Sequence, residues 1–368
     1  MISTLQTGVR NAKNVGRYIF GEGAICDLEV ILSLRRQTAK GIAIFLVDEY
    51  FRENSCPLGR LPVESSDELI YISTTDEPTT ESIDTIYHKI KTNLQSPPCA
   101  IVGIGGGITL DFSKAISNLL TNGGQASDYQ GWDLVKKPGI YKIGVPTLSG
   151  TGAEATRTCV ITNSQNGLKL GMNSDYTVFD QLILDPDLTA TVPREQYFFT
   201  GMDTYIHCVE ALNGSYRNPI GDAFSRQAIE LCREVFNDDK MMSDSNRAKL
   251  MVASFLGGCA IANSCVGIVH PLSAGLSVVL GLHHCVANCI VMSVMSEFYE
   301  SEEREFDRMR KSQDILIPKG VCKGLSDDQF HELYNSSIVH EKPLTNALGK
   351  RFHQVLTESK VKELFLRM

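Results

Sequence analysis

The first half of this chain alternates short apolar, β-rich runs with segments of helical period, and few architectures accept that order. Such runs occupy 41–47 (Gly-Ile-Ala-Ile-Phe-Leu-Val), 69–72 (Leu-Ile-Tyr-Ile), 100–104 (Ala-Ile-Val-Gly-Ile) and 141–145 (Tyr-Lys-Ile-Gly-Val). Helical patterns lie between them, at 80–94 and 110–120. Strands separated by helices give a parallel sheet covered on both faces. Tyr18-Ile19-Phe20-Gly21, with Gly23, reads as an extra short strand and turn ahead of the main sheet.

After Leu182-Ile183-Leu184-Asp185-Pro186-Asp187 the strand signals stop. Long helical patterns follow at 196–212, 222–236, 245–269, 285–301 and 327–336. A boundary near Leu188 therefore divides the chain into an α/β domain, 1–188, and a helical domain, 189–368. The length of 368 residues suits two domains. A cleft between the halves is where a ligand is expected. No internal repeat or low-complexity tract interrupts the pattern.

Composition narrows the function classes. Apolar content of 43% describes an ordinary soluble globular protein, and the net charge of −8 comes without any Lys/Arg cluster. That argues against nucleic acid as a partner. The alternating charges of 300–311 read as a solvated helix face. Met1 to Asn14 lacks the apolar core of a secretory signal, and no window is long enough to span a bilayer, so a cytoplasmic protein without a membrane partner is expected. Eleven cysteines without CxxC spacing fit a reducing compartment, with Cys208, Cys285 and Cys289 read as buried filler.

The helical half carries the sharper chemical signal. In Gly201-Met202-Asp203-Thr204-Tyr205-Ile206-His207 the carboxylate and the imidazole stand four residues apart, on one helix face. His270 and His284 are the natural complement, because carboxylate and neutral imidazole bind zinc or iron with positions left open for a substrate oxygen. An i, i+4 pair also arises by chance, and a lone histidine in an apolar helix serves equally as a hydrogen-bonded core residue. On an unbroken helix His270 and His284 would lie about 21 Å apart, too far for one ion. The chain must break between them. Gly275 and Gly281 are the available breakers, giving a helix that ends after His270, a connection through 278–282, and a new helix opening near His284. His283 is read as a proton-relay group or a surface neighbour.

Two glycine-bearing loops mark the first half. Gly103-Ile104-Gly105-Gly106-Gly107-Ile108-Thr109-Leu110-Asp111-Phe112-Ser113-Lys114 follows an apolar strand and opens a helix. Its backbone can approach a bulky anion, and the helix start supplies free N–H groups and a positive dipole end. A pyrophosphate fits, although a tight strand-to-helix turn needs glycine for sterics alone. Val145-Pro146-Thr147-Leu148-Ser149-Gly150-Thr151-Gly152-Ala153-Glu154 is a second such loop, suited to the ribose or nicotinamide end of a dinucleotide. Asp48, ending an early strand, is placed to accept from an adenosine ribose and to repel a 2′-phosphate, which favours NAD over NADP.

Together these segments resemble the iron-containing, or group III, alcohol dehydrogenase family, whose GGGSxxDxxK loop, PTxxGTGSE loop, GMDxxxH helix and two later histidines run through this chain in the same order. The resemblance extends from the Tyr18 strand to Pro343-Leu344-Thr345-Asn346-Ala347-Leu348-Gly349. It implies an N-terminal α/β Rossmann-like parallel-sheet domain and an all-α C-terminal domain, the dehydroquinate synthase-like fold. It also implies one divalent ion held by Asp203, His207, His270 and His284. NAD would be held by Asp48, Gly105, Gly106, Gly107, Ile108, Asp111, Thr147, Leu148, Thr151 and Lys169, in a homodimeric assembly, and in the mechanism read here His283 or a water chain carries the released proton. The chain departs from the family pattern where Ile108 and Ala153 replace serines and Ala274 replaces the middle histidine of HxxxH. A gapless pairing keeps His270 as a ligand, whereas one anchored on His270-Pro271-Leu272 removes it.

Within the family, His283-His284-Cys285 and Glu341-Lys342-Pro343-Leu344-Thr345-Asn346 look most like the branch that oxidises C8 of the sugar acid Kdo, ahead of amination to an 8-amino sugar for lipopolysaccharide. The substrate is then a sugar acid or alcohol oxidised to the aldehyde with NAD. An anionic substrate needs a cation, and Arg157 is a candidate unless it pairs with Glu154. Two alternatives remain: a small-diol or glycerol dehydrogenase of the same family, and a dehydroquinate synthase-like lyase using NAD transiently.

Overall fold

The computed structural model describes residues 12–54, 58–59 and 61–368. Most of the stretch from Met1 to Asn14, and Cys56, lie outside the described residues. The chain divides into two compact units, Lys13–Val192 and Pro193–Met368.

The first unit is built on a six-stranded, all-parallel sheet. Its strands are β1 (Arg17–Phe20), β2 (Ala43–Asp48), β3 (Glu68–Ile72), β4 (Ala100–Gly105), β6 (Lys142–Pro146) and β9 (Gln181–Leu184), in the order β1-β9-β6-β4-β2-β3. Side chains alternate across the pleat. Ala43, Phe45 and Val47 of β2 therefore join one core with Val102 and Ile104, beneath Leu28, Ile31 and Leu32 of helix α1 (Leu28–Ala39). Ile44 and Leu46 join the other core, with Ile83, Tyr87 and Ile90 of α2 (Thr80–Asn93) and Phe112, Ala115, Ile116 and Leu119 of α3 (Gly107–Asn122). A strand buried on both faces must be apolar at every position, which is why 43–47 and 100–102 read as unbroken runs.

A second, three-stranded sheet runs in the order β5 (Gly131–Trp132), β8 (Leu168–Asn173), β7 (Val160–Asn163). The sequence reading did not include it. Its signal was the turn Gln165-Asn166-Gly167, where Gly167 adopts φ 70° and its N–H bonds Asn163 O at 2.8 Å. An Asn-Gly pair between short strands marks a hairpin.

The second unit is helical. Helix α4 (Arg194–Asn213) is buried over Tyr197–Ala211, around its whole circumference, with Asp203, His207 and Glu210 among the buried positions. It packs with α5 (Pro219–Phe236) and α6 (Asp244–Asn263). The expected helix over 245–269 ends early: α6 stops at Asn263, and after a non-helical connection α7 (Val269–Leu280) starts five residues past Ser264. The cause is distant in sequence, because Asn346 Nδ2 donates to the carbonyls of Cys265 and Val266, each at 3.0 Å, and holds the connection open.

His270 consequently opens a helix instead of closing one. Gly275 is not a breaker either. It lies inside α7, where an added Cβ would fall 2.5 Å from Ser337 Oγ and 3.0 Å from Leu333 O of α10 (Asp327–Ile338), so its role is close helix packing. Gly281 makes the break, at φ 67°, with its N–H bonded to Ser277 O. The chain then turns into α8 (His284–Met292), which is shorter than the expected 285–301, and α9 (Glu300–Ser312) follows. In the charged α9 only Phe306 and Met309 are buried. Among the described residues no helix is long and apolar enough to cross a membrane. The ten described cysteines are all free, and all but Cys26 and Cys285 are buried.

Candidate functional site

Helix α4 carries Asp203, His207 and Glu210 at i, i+4 and i+7, which is one stripe of an α-helix. Four side chains converge at the Asp203 end. Asp203, His207, His270 and His284 each offer a ligand atom, and these atoms lie within 4.8 Å of one another. The distances to the Asp203 carboxylate are 3.8 Å from His207 Nε2, 3.4 Å from His270 Nε2 and 3.6 Å from His284 Nε2. The His207 and His270 rings stack, with centroids 4.6 Å apart and planes at 16°. The structure thus brings together all four ligand candidates, including the His270 that a shifted alignment removes.

Two donors held about 2.1 Å from one ion at tetrahedral or octahedral angles are themselves separated by roughly 3.0–3.5 Å. The distances to the Asp203 carboxylate, 3.4–3.8 Å, lie at or just above that range, the whole set spans up to 4.8 Å, and a carboxylate with three imidazoles is a donor set that zinc and ferrous iron both accept. The residues fit a divalent ion. Cys285, half-buried rather than filler, places Sγ 3.7 Å from Asp203 Oδ2, while Cys208 and Cys289 are buried.

Burial by itself would raise the Asp203 carboxyl, but His207, His284 and His270 outweigh it and hold the group well below the usual carboxylate range. Burial pushes His207 down to about 3 against the pull of Asp203. His270 goes the other way, up to about 9, because Glu210 and Asp203 overcome its burial.

Two residues of this site were not anticipated. Asn288, one turn after His284 on α8 and fully buried, has Nδ2 2.6 Å from Asp203 Oδ1, 3.1 Å from His284 Nε2 and 3.3 Å from His270 Nε2. Glu210 pairs with His270 Nδ1 and accepts from the Val269 N–H. Both were signalled by spacing alone: Glu210 extends the Asp203/His207 stripe, and Asn288 repeats the i, i+4 step from His284. His283 is the exposed N-cap of α8 and points no hydrogen bond into the cluster.

The nucleotide candidates gather in the sheet-bearing unit. Strand order reverses between β2 and β4, since β2 leads outward to β3 and β4 to β6, and ligands of open parallel sheets bind at that crevice beyond the carboxyl ends. Asp48 ends β2, Gly105 ends β4 and Thr147 follows β6. The Thr147 N–H bonds Gly105 O at 3.0 Å, tying the two loops together. An added Cβ on Gly106 would fall 2.6 Å from Leu148 Cδ1, and one on Gly107 3.0 Å from Thr151 Oγ1, so any larger residue there would press on the second loop. Gly106 caps α3 with no side-chain hydrogen bond, and the amides of Gly107, Ile108 and Thr109 begin the helix. First-turn amides have no intrahelical partner. The buried hydroxyls of Thr109 and Ser149 likewise have none among the described residues. A polar cradle with open donors fits a dinucleotide phosphate.

Other candidates in this unit have partners already. Asp48 accepts from Tyr50 N at 3.0 Å and Thr74 Oγ1 at 3.2 Å, and burial raises its pKa. Lys169 lies on β8, 3.4 Å from Glu77. Asp111 accepts from Val160 N at 2.9 Å and lies 3.9 Å from Lys114; burial pushes it up to about 6. Arg157 does not pair with Glu154. Its guanidinium is held by Asp133 and by Asp175, the latter at 3.1 Å.

Residues 16–186 match the family model described as iron-containing alcohol dehydrogenase, and residues 198–338 match its C-terminal counterpart, the Fe-containing alcohol dehydrogenase family, C-terminal. The chain belongs to the iron-containing alcohol dehydrogenase family. Sulfoacetaldehyde reductase of Bilophila wadsworthia is 34% identical over 61% of this chain and 59% of its own length. NAD-dependent methanol dehydrogenase of Bacillus methanolicus is 33% identical over 54% of this chain and 53% of its own. The chain thus spans little more than half the length of these curated relatives. A crystal structure of 1,3-propanediol oxidoreductase superposes with TM-score 0.81 over 96% of this chain and 98% of that one, at 22% identity, a likeness of fold.

Proposed function

We propose that this member of the iron-containing alcohol dehydrogenase family is a metal- and NAD-dependent oxidoreductase that converts a primary alcohol to an aldehyde. The observation that carries the reading is the meeting of one buried carboxylate and three imidazole Nε2 atoms within 4.8 Å. When bound, a zinc or iron ion supplies Lewis acidity toward the alcohol oxygen, and NAD supplies the hydride acceptor. Asp203, His207, His270 and His284 would hold the ion and exclude water from its protein side. In the other unit the amides of Gly105, Gly106, Gly107 and Ile108 would take the pyrophosphate. Thr147, Leu148 and Thr151 would border the nicotinamide half, Lys169 a ribose, and Asp48 the adenosine. Asp111 supports this loop from behind, through Val160 and Lys114.

His283 is proposed to carry the released proton to solvent, since it is exposed and precedes His284 directly. His283→Ala should keep its metal and lose about 10²-fold or more in kcat, the range for a removed general acid–base group. Metal content by plasma mass spectrometry together with steady-state rates checks this. Unchanged kcat removes His283 from the mechanism.

The finer substrate reading is the C8 hydroxyl of Kdo, supported by the His283-His284-Cys285 and 341–346 segments. With Arg157 engaged by two aspartates, the cation for a substrate carboxylate must come from elsewhere. Asp203, where dehydroquinate synthase-type lyases carry Glu, favours the dehydrogenase over the lyase. A cytoplasmic homodimer belongs to the same proposal. The deciding experiment incubates zinc- or iron-loaded protein and NAD with Kdo, glycerol, short diols, methanol and, in the reverse direction with NADH, sulfoacetaldehyde. An aldehyde product from Kdo alone is expected. Turnover restricted to diols moves the substrate to the small-alcohol class, and no aldehyde from any alcohol overturns the oxidoreductase reading.

A further inference from the structure

Behind His270 lies an acid that the ligand set does not include. Glu210 is wholly buried, and both its oxygens are committed: Oε1 accepts the Val269 N–H at the start of α7, and Oε2 accepts from His270 Nδ1. Gly267 leaves the space it needs, since an added Cβ there would fall 3.1 Å from Glu210 Oε1 and 2.6 Å from the Tyr299 hydroxyl. A buried carboxylate is costly unless it is both hydrogen-bonded and balanced in charge. Glu210 is bonded twice. Its location decides what balances it.

We infer that Glu210 is the positioning residue of the metal centre: it fixes the tautomer and ring plane of His270 and neutralises the charge that a divalent ion leaves behind. The inference rests on the metal reading above. With His270 Nδ1 engaged by Glu210, Nε2, 3.4 Å from the Asp203 carboxylate, is the ring nitrogen left to face an ion. The same carboxylate bonds the first amide of α7, so one side chain of α4 sets both the helix that carries His270 and the rotation of its ring. The charges agree. A divalent ion on one carboxylate and three neutral imidazoles keeps one net positive charge, and the buried Glu210 carboxylate cancels it. His207 has no such support, for its Nδ1 is buried with no hydrogen-bond partner among the described residues. His270 is therefore a ligand whose geometry is set from outside the ligand shell.

The test strips the full-length protein of metal and titrates Zn²⁺ against a chromophoric chelator. Glu210→Gln should bind zinc about 10–100-fold more weakly than wild type, the usual effect of losing such a partner. In a His270→Ala background the same change should cost less than about threefold further, because the two residues act as one unit. Equal losses with and without His270, or a Glu210→Gln affinity within about threefold of wild type, overturn the inference. The melting temperature of each metal-free protein reports folding separately. Should Glu210→Gln not fold, Glu210→Asp keeps the charge but withdraws its reach, and wild-type zinc affinity in that variant is equally fatal. A wild-type protein that takes up no zinc or iron at all sinks the metal reading itself, a different outcome from zinc uptake that is indifferent to Glu210.

Discussion

Asp203→Ala is expected to leave a folded protein that retains little zinc or iron and turns over an alcohol on the order of 10³-fold more slowly, the rate equivalent of several kcal/mol of lost Lewis-acid stabilisation. Asp203 is the only anion among the four ligand candidates and the point to which all three Nε2 atoms are drawn. Without it a divalent ion would face three neutral imidazoles, a weaker set in which the ring orientations also lose their common acceptor. Asn288 Nδ2, buried and 2.6 Å from Asp203 Oδ1, loses its closest acceptor as well. Losing that bond adds about 1 kcal/mol of instability, since His284 Nε2 and His270 Nε2 remain 3.1 and 3.3 Å from Asn288 Nδ2. Asp203→Asn keeps the shape and isolates the charge. Metal content by mass spectrometry, kcat, and far-ultraviolet circular dichroism read the three effects apart. An Asp203→Ala protein that holds a stoichiometric ion and works at the native rate would leave the site without its central residue, and the proposed function with it.

The second large effect lies in the other unit and concerns stability. Lys114 sits on the buried side of α3 with no exposure, and Nζ donates to Thr156 O and Oγ1 at 3.2 Å each and to Thr158 O at 2.8 Å. Burial depresses its pKa, and Asp111 opposes that shift. Lys114→Met keeps the stem and removes the charge, which strands the Asp111 carboxylate and two backbone carbonyls. Breaking a buried ion pair on one side costs about 3–5 kcal/mol. For a unit of about this size that amounts to a fall of roughly 6–20 °C in Tm. Calorimetry on the purified protein measures it. The double variant Lys114→Met with Asp111→Asn should recover part of the loss, because the second change removes the stranded charge. A Tm within 2 °C of native, about what a surface substitution gives, would show that Lys114 is not a buried anchor of the loop.

Several features were legible before any coordinates. Double-sided burial demands apolar residues at consecutive positions, so β2 and β4 announced themselves as unbroken runs. The i, i+4 step placed Asp203 and His207 on one face of α4. The helical break demanded by the spacing of His270 and His284 exists, at Gly281, where a positive φ selects glycine.

Other features were not legible, for identifiable reasons. Periodicity is a local signal, and 245–269 stays apolar and helix-compatible through the stretch where α6 ends. What ends it is Asn346, reaching the Cys265 and Val266 carbonyls from 80 residues away in the chain. Gly275 looked like a breaker because composition cannot distinguish a glycine that bends the chain from one that lets α10 come close. Arg157 looked available to a substrate until Asp133 and Asp175 were found against it.

The sequence by itself determined the order of strands and helices, the division into a sheet-bearing and a helical half, and the residue types from which a metal centre can be made, because all of these follow from hydrophobic period and covalent spacing. Only the tertiary structure decided that four side chains from three helices meet at one carboxylate, and that Glu210 stands behind His270. Those are distances between residues as far apart in the chain as Asp203 and His284. They are fixed by how helices pack and where buried charges find partners, and neither leaves a periodic trace in the chain.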